Sequence, residues 1–256
     1  PFNLNVTAAQ PQQAVALQAD DNVSSFSLTS ASNVGLDVAT SIGAEFSAVV
    51  AMSKLERIDF SQANARVALT VAQLYDVQAN QDKLHGDYVF DVSGVSMADL
   101  SDFLTANPSR LGSVQVSDTS QAIATGWDDL LALSSDGLAG FTVTTPQTPL
   151  AITLEQYNQS STVRAKLTSQ PLALLDVAPG QATDVAAFAN VSTVSVKGSS
   201  AEVAAEFDNL VTLADKLDDI QITDDGPLML TQDQVDNAQT TLDKINGGHF
   251  NVQVLT

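Results

Sequence analysis

A chain of 256 residues with 44% hydrophobic side chains is long enough for one large domain or two, and apolar enough to pack a core. Thirty Asp and Glu against ten Lys and Arg give a net charge of -20, a field that repels nucleic acid and anionic membrane surfaces and concentrates divalent cations. Cysteine is absent, which excludes disulfides, a thiolate nucleophile and zinc-thiolate ligation, and no run of about 18 uninterrupted apolar residues predicts a membrane-spanning helix.

Phe2 to Val6 (FNLNV) alternates apolar and polar side chains and predicts a half-buried strand; an Ala- and Gln-rich connection with Pro11 supports a short helix, and Phe26-Ser27-Leu28 is a second strand. Ser41 to Leu55 has apolar residues at helical spacing and no proline, which predicts an amphipathic helix. A third strand starts at Ile58, turns through SQANA, resumes at VALT and leads into a helix from Val71 to Leu84. The plan then recurs. Strands are expected at Tyr88, at Val114 to Val116 and at Phe141 to Val143, then LAIT after a Pro-containing turn, with helices before Pro108, around Trp127 and from Leu154 to Leu167. It recurs again with strands at Leu172 to Val177 and Val194 to Val196, then IQIT and LMLT, and helices near Ala182, from Ala201 to Leu217 and from Asp233 to Ile245.

A common skeleton underlies the three passages. Leu55, Leu138 and Leu217, read as helix ends, are each followed three residues later by an apolar strand start at Ile58, Phe141 or Ile220. Each passage then has a T-x-x-Q box, at Thr70/Gln73, Thr153/Gln156 and Thr231/Gln234, and ten residues beyond the Gln a Lys before Leu or Ile: Lys83, Lys166 and Lys244. The boxes are the pattern in which a Thr hydroxyl and a Gln side chain cap a helix start reciprocally, and the Lys is placed to suit the end of its own helix. A period of about 80 residues marks a repeat architecture. The copies run over 2–87, 88–171 and 172–249, with 250–256 opening a further one as FNVQV. The abrupt opening at Pro1 and the partial fourth copy predict a piece of something longer.

Helices between successive strands require parallel pairing, because a parallel return needs a crossover of about a dozen residues or more. The expected fold is therefore α/β: a repeat solenoid with a mainly parallel sheet on one side and helices on the other, since tandem copies bury their apolar faces by stacking.

Chemistry-bearing residues are sparse. His85 and His249 both follow the recurring Lys, where the second copy has no His, so a solvated loop is the simpler reading than a base or ligand. No Ser-His-Asp arrangement follows from spacing. Asp218, Asp219, Asp224 and Asp225 flank IQIT and are candidate oxygen ligands for calcium, with Asp118 and Asp59 as weaker counterparts; the spacing matches neither an EF-hand nor a calcium nonapeptide, and solvated turns explain them too. Trp127, Phe207 and Phe46 hold corresponding places and read as core. No cofactor is expected beyond that calcium.

The run of strand, Ala-rich helix, I-x-I-T-D, turn, L-x-L-T, Gln and closing L-D-K-I over Val194 to Ile245 resembles the tandem repeats of very large secreted surface proteins of Proteobacteria, adhesin-like or surface-layer-like type I secretion substrates. The unit length is also similar to leucine-rich repeats, whose Asn ladder is missing. The resemblance implies an extracellular or cell-surface bacterial location and a non-catalytic structural or interaction role, with neighbouring repeats or other copies of the chain as partners. The alternatives are a module binding polysaccharide or a surface protein on one face, and a polysaccharide-acting enzyme, which would need a cluster of carboxylates or a basic residue unmatched between copies.

Overall fold

The computed structural model describes residues 4–9, 13–30, 46–106, 110–133, 137–167, 169–213, 215–246 and 250–255. The chain is α/β with mainly parallel sheets, in two compact units: Pro1–Ser117 with Ala132–Thr142, and Asp118–Leu131 with Val143–Thr256. The first expected copy lies in the first unit, the third in the second, and the middle copy is divided between them.

In the first unit β1 (Leu4–Ala9), β2 (Val23–Ser30), β3 (Leu55–Thr70), β4 (Leu84–Val95), β5 (Leu111–Asp118) and β6 (Leu138–Val143) lie side by side in chain order. The pairs from β1 to β5 are parallel. In the second unit β7 (Leu150–Thr153), β8 (Leu172–Val177), β9 (Val191–Gly198) and β10 (Leu217–Ile222) form a parallel sheet, and β11 (Leu228–Thr231) pairs in parallel with β12 (Val252–Leu255).

The pairing repeats atom for atom. The N–H groups of Leu4, Phe90 and Leu172 donate to the carbonyls of Asn22, Arg110 and Asn190 at 2.9, 2.7 and 2.8 Å. One crossover later Phe26, Val114 and Val194 donate to Lys54, Gly137 and Lys216 at 2.9, 2.7 and 2.8 Å. Leu172 faces Leu150 as Val252 faces Leu228.

The three-residue apolar spacing has a different cause from the one expected. Leu55, Leu138 and Leu217 do not end helices; they are the buried first residues of β3, β6 and β10. Two backbone steps of β9, Val194 to Val196, face three of β10, Leu217 to Ile220. The extra residue is a β-bulge, which keeps two inward side chains in phase across an odd interval. The same slip occurs at the entries to β2, β3, β5 and β9.

The long helices are likewise shorter than periodicity implies. Phe46–Val50 is helical and Leu55 is not, while 41–45 and the start of FNLNV fall outside the described residues. The helix after Thr70 ends at Gln78, and a 3-10 turn, Gln81–Lys83, precedes Leu84. The other three are broken in two, Leu154–Gln159 with Ser161–Arg164, Ser200–Ala205 with Phe207–Thr212, and Gln232–Asn237 with Gln239–Leu242. At each break Ser160, Glu206 or Ala238 has φ between -105 and -119° and ψ from 8 to 31°, outside the helical well. The break redirects the second half while the apolar periodicity runs on.

All three T-x-x-Q boxes close reciprocally: Gln73, Gln156 and Gln234 donate backbone N–H to the Thr hydroxyls and accept from the Thr N–H groups at 2.9 to 3.0 Å. A cap of this kind contributes on the order of 1 kcal/mol. The second and third Gln do more, since their amide nitrogens donate to Asp128 and Asp208 at 3.1 and 2.8 Å. A Glu would cap equally well but would face those carboxylates, so the amide is required where the helix start is also tied to the preceding helix.

Of the recurring lysines, Lys83 and Lys244 serve neighbouring crossovers rather than their own helix ends, and Lys54 and Lys216 act in the same way. Lys54 donates to Asp20 O at 2.8 Å, Lys83 to Val50 O and Met52 O at 3.0 and 3.1 Å, Lys216 to Ala186 O at 2.6 Å, and Lys244 to Leu217 O. The first three reach the carbonyls closing helices Ala14–Ala19, Phe46–Val50 and Ala182–Ala186, groups that have no partner within their own helix. Trp127, Phe207 and Phe46 are buried, as expected for core aromatics.

Candidate functional site

The acidic residues around β10 are dispersed by the fold. Asp218 and Asp219 are neighbours within the strand-entry bulge, and Asp218 accepts a 3.5 Å bond from the Ser195 hydroxyl. Asp224 stands at the start of helix Ser200–Ala205, accepting the Ser200 N–H at 2.9 Å and its hydroxyl at 3.3 Å. Asp225 is exposed in the same turn. Asp118 accepts the N–H of Thr119 at 2.7 Å, and Asp59 pairs with Arg57. Among the described residues no group of three or more His, Asp or Glu side chains is placed to hold a metal ion.

Local bonds set the acidity here. The backbone N–H of Ser200 holds the Asp224 carboxyl below its ordinary range against partial desolvation, with the Ser200 hydroxyl adding to it. Glu202 is lowered by the N–H and then the hydroxyl of Ser199, whose side chain it caps in a fourth reciprocal box, S-x-x-E, which the sequence carries but the T-x-x-Q pattern did not include. A carboxyl whose folded pKa lies below its unfolded value stabilises the fold above the unfolded value, about 4, and the stabilisation is lost as pH falls through the folded one. The Tm should therefore decline on acidification from about pH 5, and Asp224→Asn should shallow that decline; equal acid limbs in thermal melts of the two proteins would refute the assignment.

His85 is an exposed residue of β4, opposite Asp59 across the β3–β4 pair, not part of a loop; His249 lies outside the described residues.

One cluster was not anticipated. Tyr157, on helix Leu154–Gln159, stacks on Phe188 with ring centroids 5.1 Å apart and planes 13° apart, and the Arg164 guanidinium lies over the Tyr157 ring at 3.7 Å. Beside this stack is a cleft of about 370 Å³ lined by Tyr157, Ser161, Arg164, Gln170 and Asn190 with Leu167, Leu172 and two alanines. Arg164 Nε is buried without a hydrogen-bond partner. Among the described residues, no carboxylate or imidazole lines the cleft.

No family model, curated protein or solved structure matches this chain. The sequence signal for the cluster was present in the repeat. Counted from the Thr of each box, Tyr157 stands where the other copies have Leu74 and Val235, and Arg164 where they have Gln81 and Leu242. Comparing the copies for departures rather than likeness would have found it.

Proposed function

We propose that the chain is a non-catalytic structural or interaction segment of an extracellular bacterial surface protein, a solenoid of stacked strand-helix units that sets length or makes lattice contacts. The observation that carries this reading is the threefold recurrence of the same interstrand bonds, from Leu4, Phe90 and Leu172 and from Phe26, Val114 and Val194. Parallel strands paired in chain order are what stacking of equivalent units requires. Side chains that recur with the period hold the backbone: the Thr and Gln boxes cap helices, and Lys83 and Lys244 close carbonyls. The resemblance over Val194 to Ile245 supplies the surface location.

Light scattering with and without millimolar calcium, with electron micrographs of the same samples, tests this. Masses above the monomer, with filaments or sheets, are the expected result, and calcium dependence would point to carboxylates shared between copies. A monomer under both conditions would remove the lattice role. The second reading, a ligand-binding module, is favoured by the Arg164 cleft.

A further inference from the structure

We propose that the cleft around Arg164 binds a carboxylated sugar of the uronate type, its carboxylate on the Arg164 guanidinium and its hydroxyls on Ser161, Gln170 and Asn190. This rests on the ligand-binding reading and is independent of whether the chain assembles.

The first support is the departure from the repeat. Where the third copy buries Leu242, this one places a cation. An array needs no such exchange, because a Leu fills the position without an unpaired charge. The second support is the state of that cation. Of the four arginines in the sequence, Arg57 donates to Asp59, Arg66 to Asp91 and Arg110 to the carbonyls of Gly86 and Tyr88. Among the described residues Arg164 meets only the Tyr157 ring, in a chain with thirty carboxylates. A guanidinium without a counter-charge or acceptor is costly when partly buried, and its planar donor fork fits a carboxylate in two-point contact.

The stack gives the site its order. With the Tyr157 ring stacked on Phe188 and the Arg164 guanidinium lying over that ring, the guanidinium is held before any ligand arrives, which lowers the ordering cost of binding. The remaining lining selects the ligand. Gln170, only 5% exposed, uses its amide nitrogen on Thr148 O at 2.9 Å and Ser120 Oγ at 3.4 Å, which leaves its carbonyl oxygen as an acceptor for a hydroxyl. Ser161 and Asn190 add one hydroxyl and one amide. An acidic peptide side chain would use Arg164 and leave these groups idle, whereas a sugar ring presents hydroxyls to all three, and a cleft of about 370 Å³ has room for one ring.

The test is calorimetry on the whole chain at 0.15 M salt, where the acidic field is screened beyond about 8 Å. Glucuronate, glucose, acetate and a short Asp-rich peptide are titrated separately. Glucuronate should bind at least tenfold more tightly than each of the others. Arg164→Leu, which installs the third copy's residue, should lose glucuronate binding at least tenfold with no loss of Tm. Should that variant misfold, Arg164→Gln and amide shifts mapped on the unaltered chain replace it, with Ser161, Gln170 and Asn190 expected among the shifted residues. No glucuronate binding, undiminished binding by the folded variant, or shifts elsewhere would overturn the proposal. Acetate or the peptide matching glucuronate would also overturn it, in favour of a general carboxylate or an acidic protein partner.

Discussion

Truncating Phe207 or Trp127 to Ala should each cost about 3–5 kcal/mol, the range for removing a fully buried large aromatic, and a loss of that size lowers Tm by roughly 10 °C in a chain this long. The two sites separate at the next step. Trp127 carries a buried indole N–H without a hydrogen-bond partner, and its counterpart in the third copy is already Phe. Trp127→Phe removes that unsatisfied donor, worth about 1–3 kcal/mol, while losing contact volume at about 24 cal/mol per Å³. The two terms nearly cancel, so this variant should unfold within about 1 kcal/mol of the parent. Thermal and urea melts of the four proteins decide the matter. A Trp127→Phe loss as large as that of the alanine variant would mean that the indole is held by more than packing.

Gly86→Ala should cost on the order of 3 kcal/mol, combining an unfavourable backbone region with a steric clash. Gly86 has φ +105°, and a Cβ there would stand 2.6 Å from the Phe60 carbonyl oxygen, a backbone atom in the neighbouring strand. Neither strand can yield without breaking the β3–β4 register at Phe60 and Gly86. Gly94 is the control. Its φ is also positive, +72°, but an added Cβ meets nothing within 4 Å, and the equivalent bulge position of β8 is occupied by Asp176 at φ +53°. Gly94→Asp should therefore fold with a loss of about 1 kcal/mol, the ordinary penalty for a non-glycine residue in this region. Denaturant midpoints for the two variants check this, and equal losses would contradict the steric account.

The sequence was most legible where a local chemical rule acts. Reciprocal capping needs only two residues three apart, so Thr70/Gln73, Thr153/Gln156 and Thr231/Gln234 could be read directly. Parallel pairing was legible because crossover length constrains it. The bulges were not, since a strand with one extra residue gives the same three-residue spacing as a helix end, and Leu217 to Ile220 fits both. The helix breaks at Ser160, Glu206 and Ala238 leave the apolar periodicity intact and carry neither Pro nor Gly. At the candidate sites the missing information was the distant partner. Asp224 looks like any acidic turn until Ser200, from another element, is seen donating to it. Arg164 looks like a helix-end cation until it is found over Tyr157.

The central claim is that the copies are interchangeable units, and removing one tests it most directly. Deleting Leu172 to Asn251 joins Pro171 to Val252, so that β12 takes the place of β8 beside β7, keeping the pairing of Leu150 and the bond from its N–H to Pro171 O. Circular dichroism and a denaturant melt of the shortened chain should show the same secondary structure per residue and cooperative unfolding at a lower m-value, in proportion to the surface removed. A dye-binding, non-cooperative or aggregated product would mean that the copies depend on one particular neighbour, and the stacked-repeat account would be wrong.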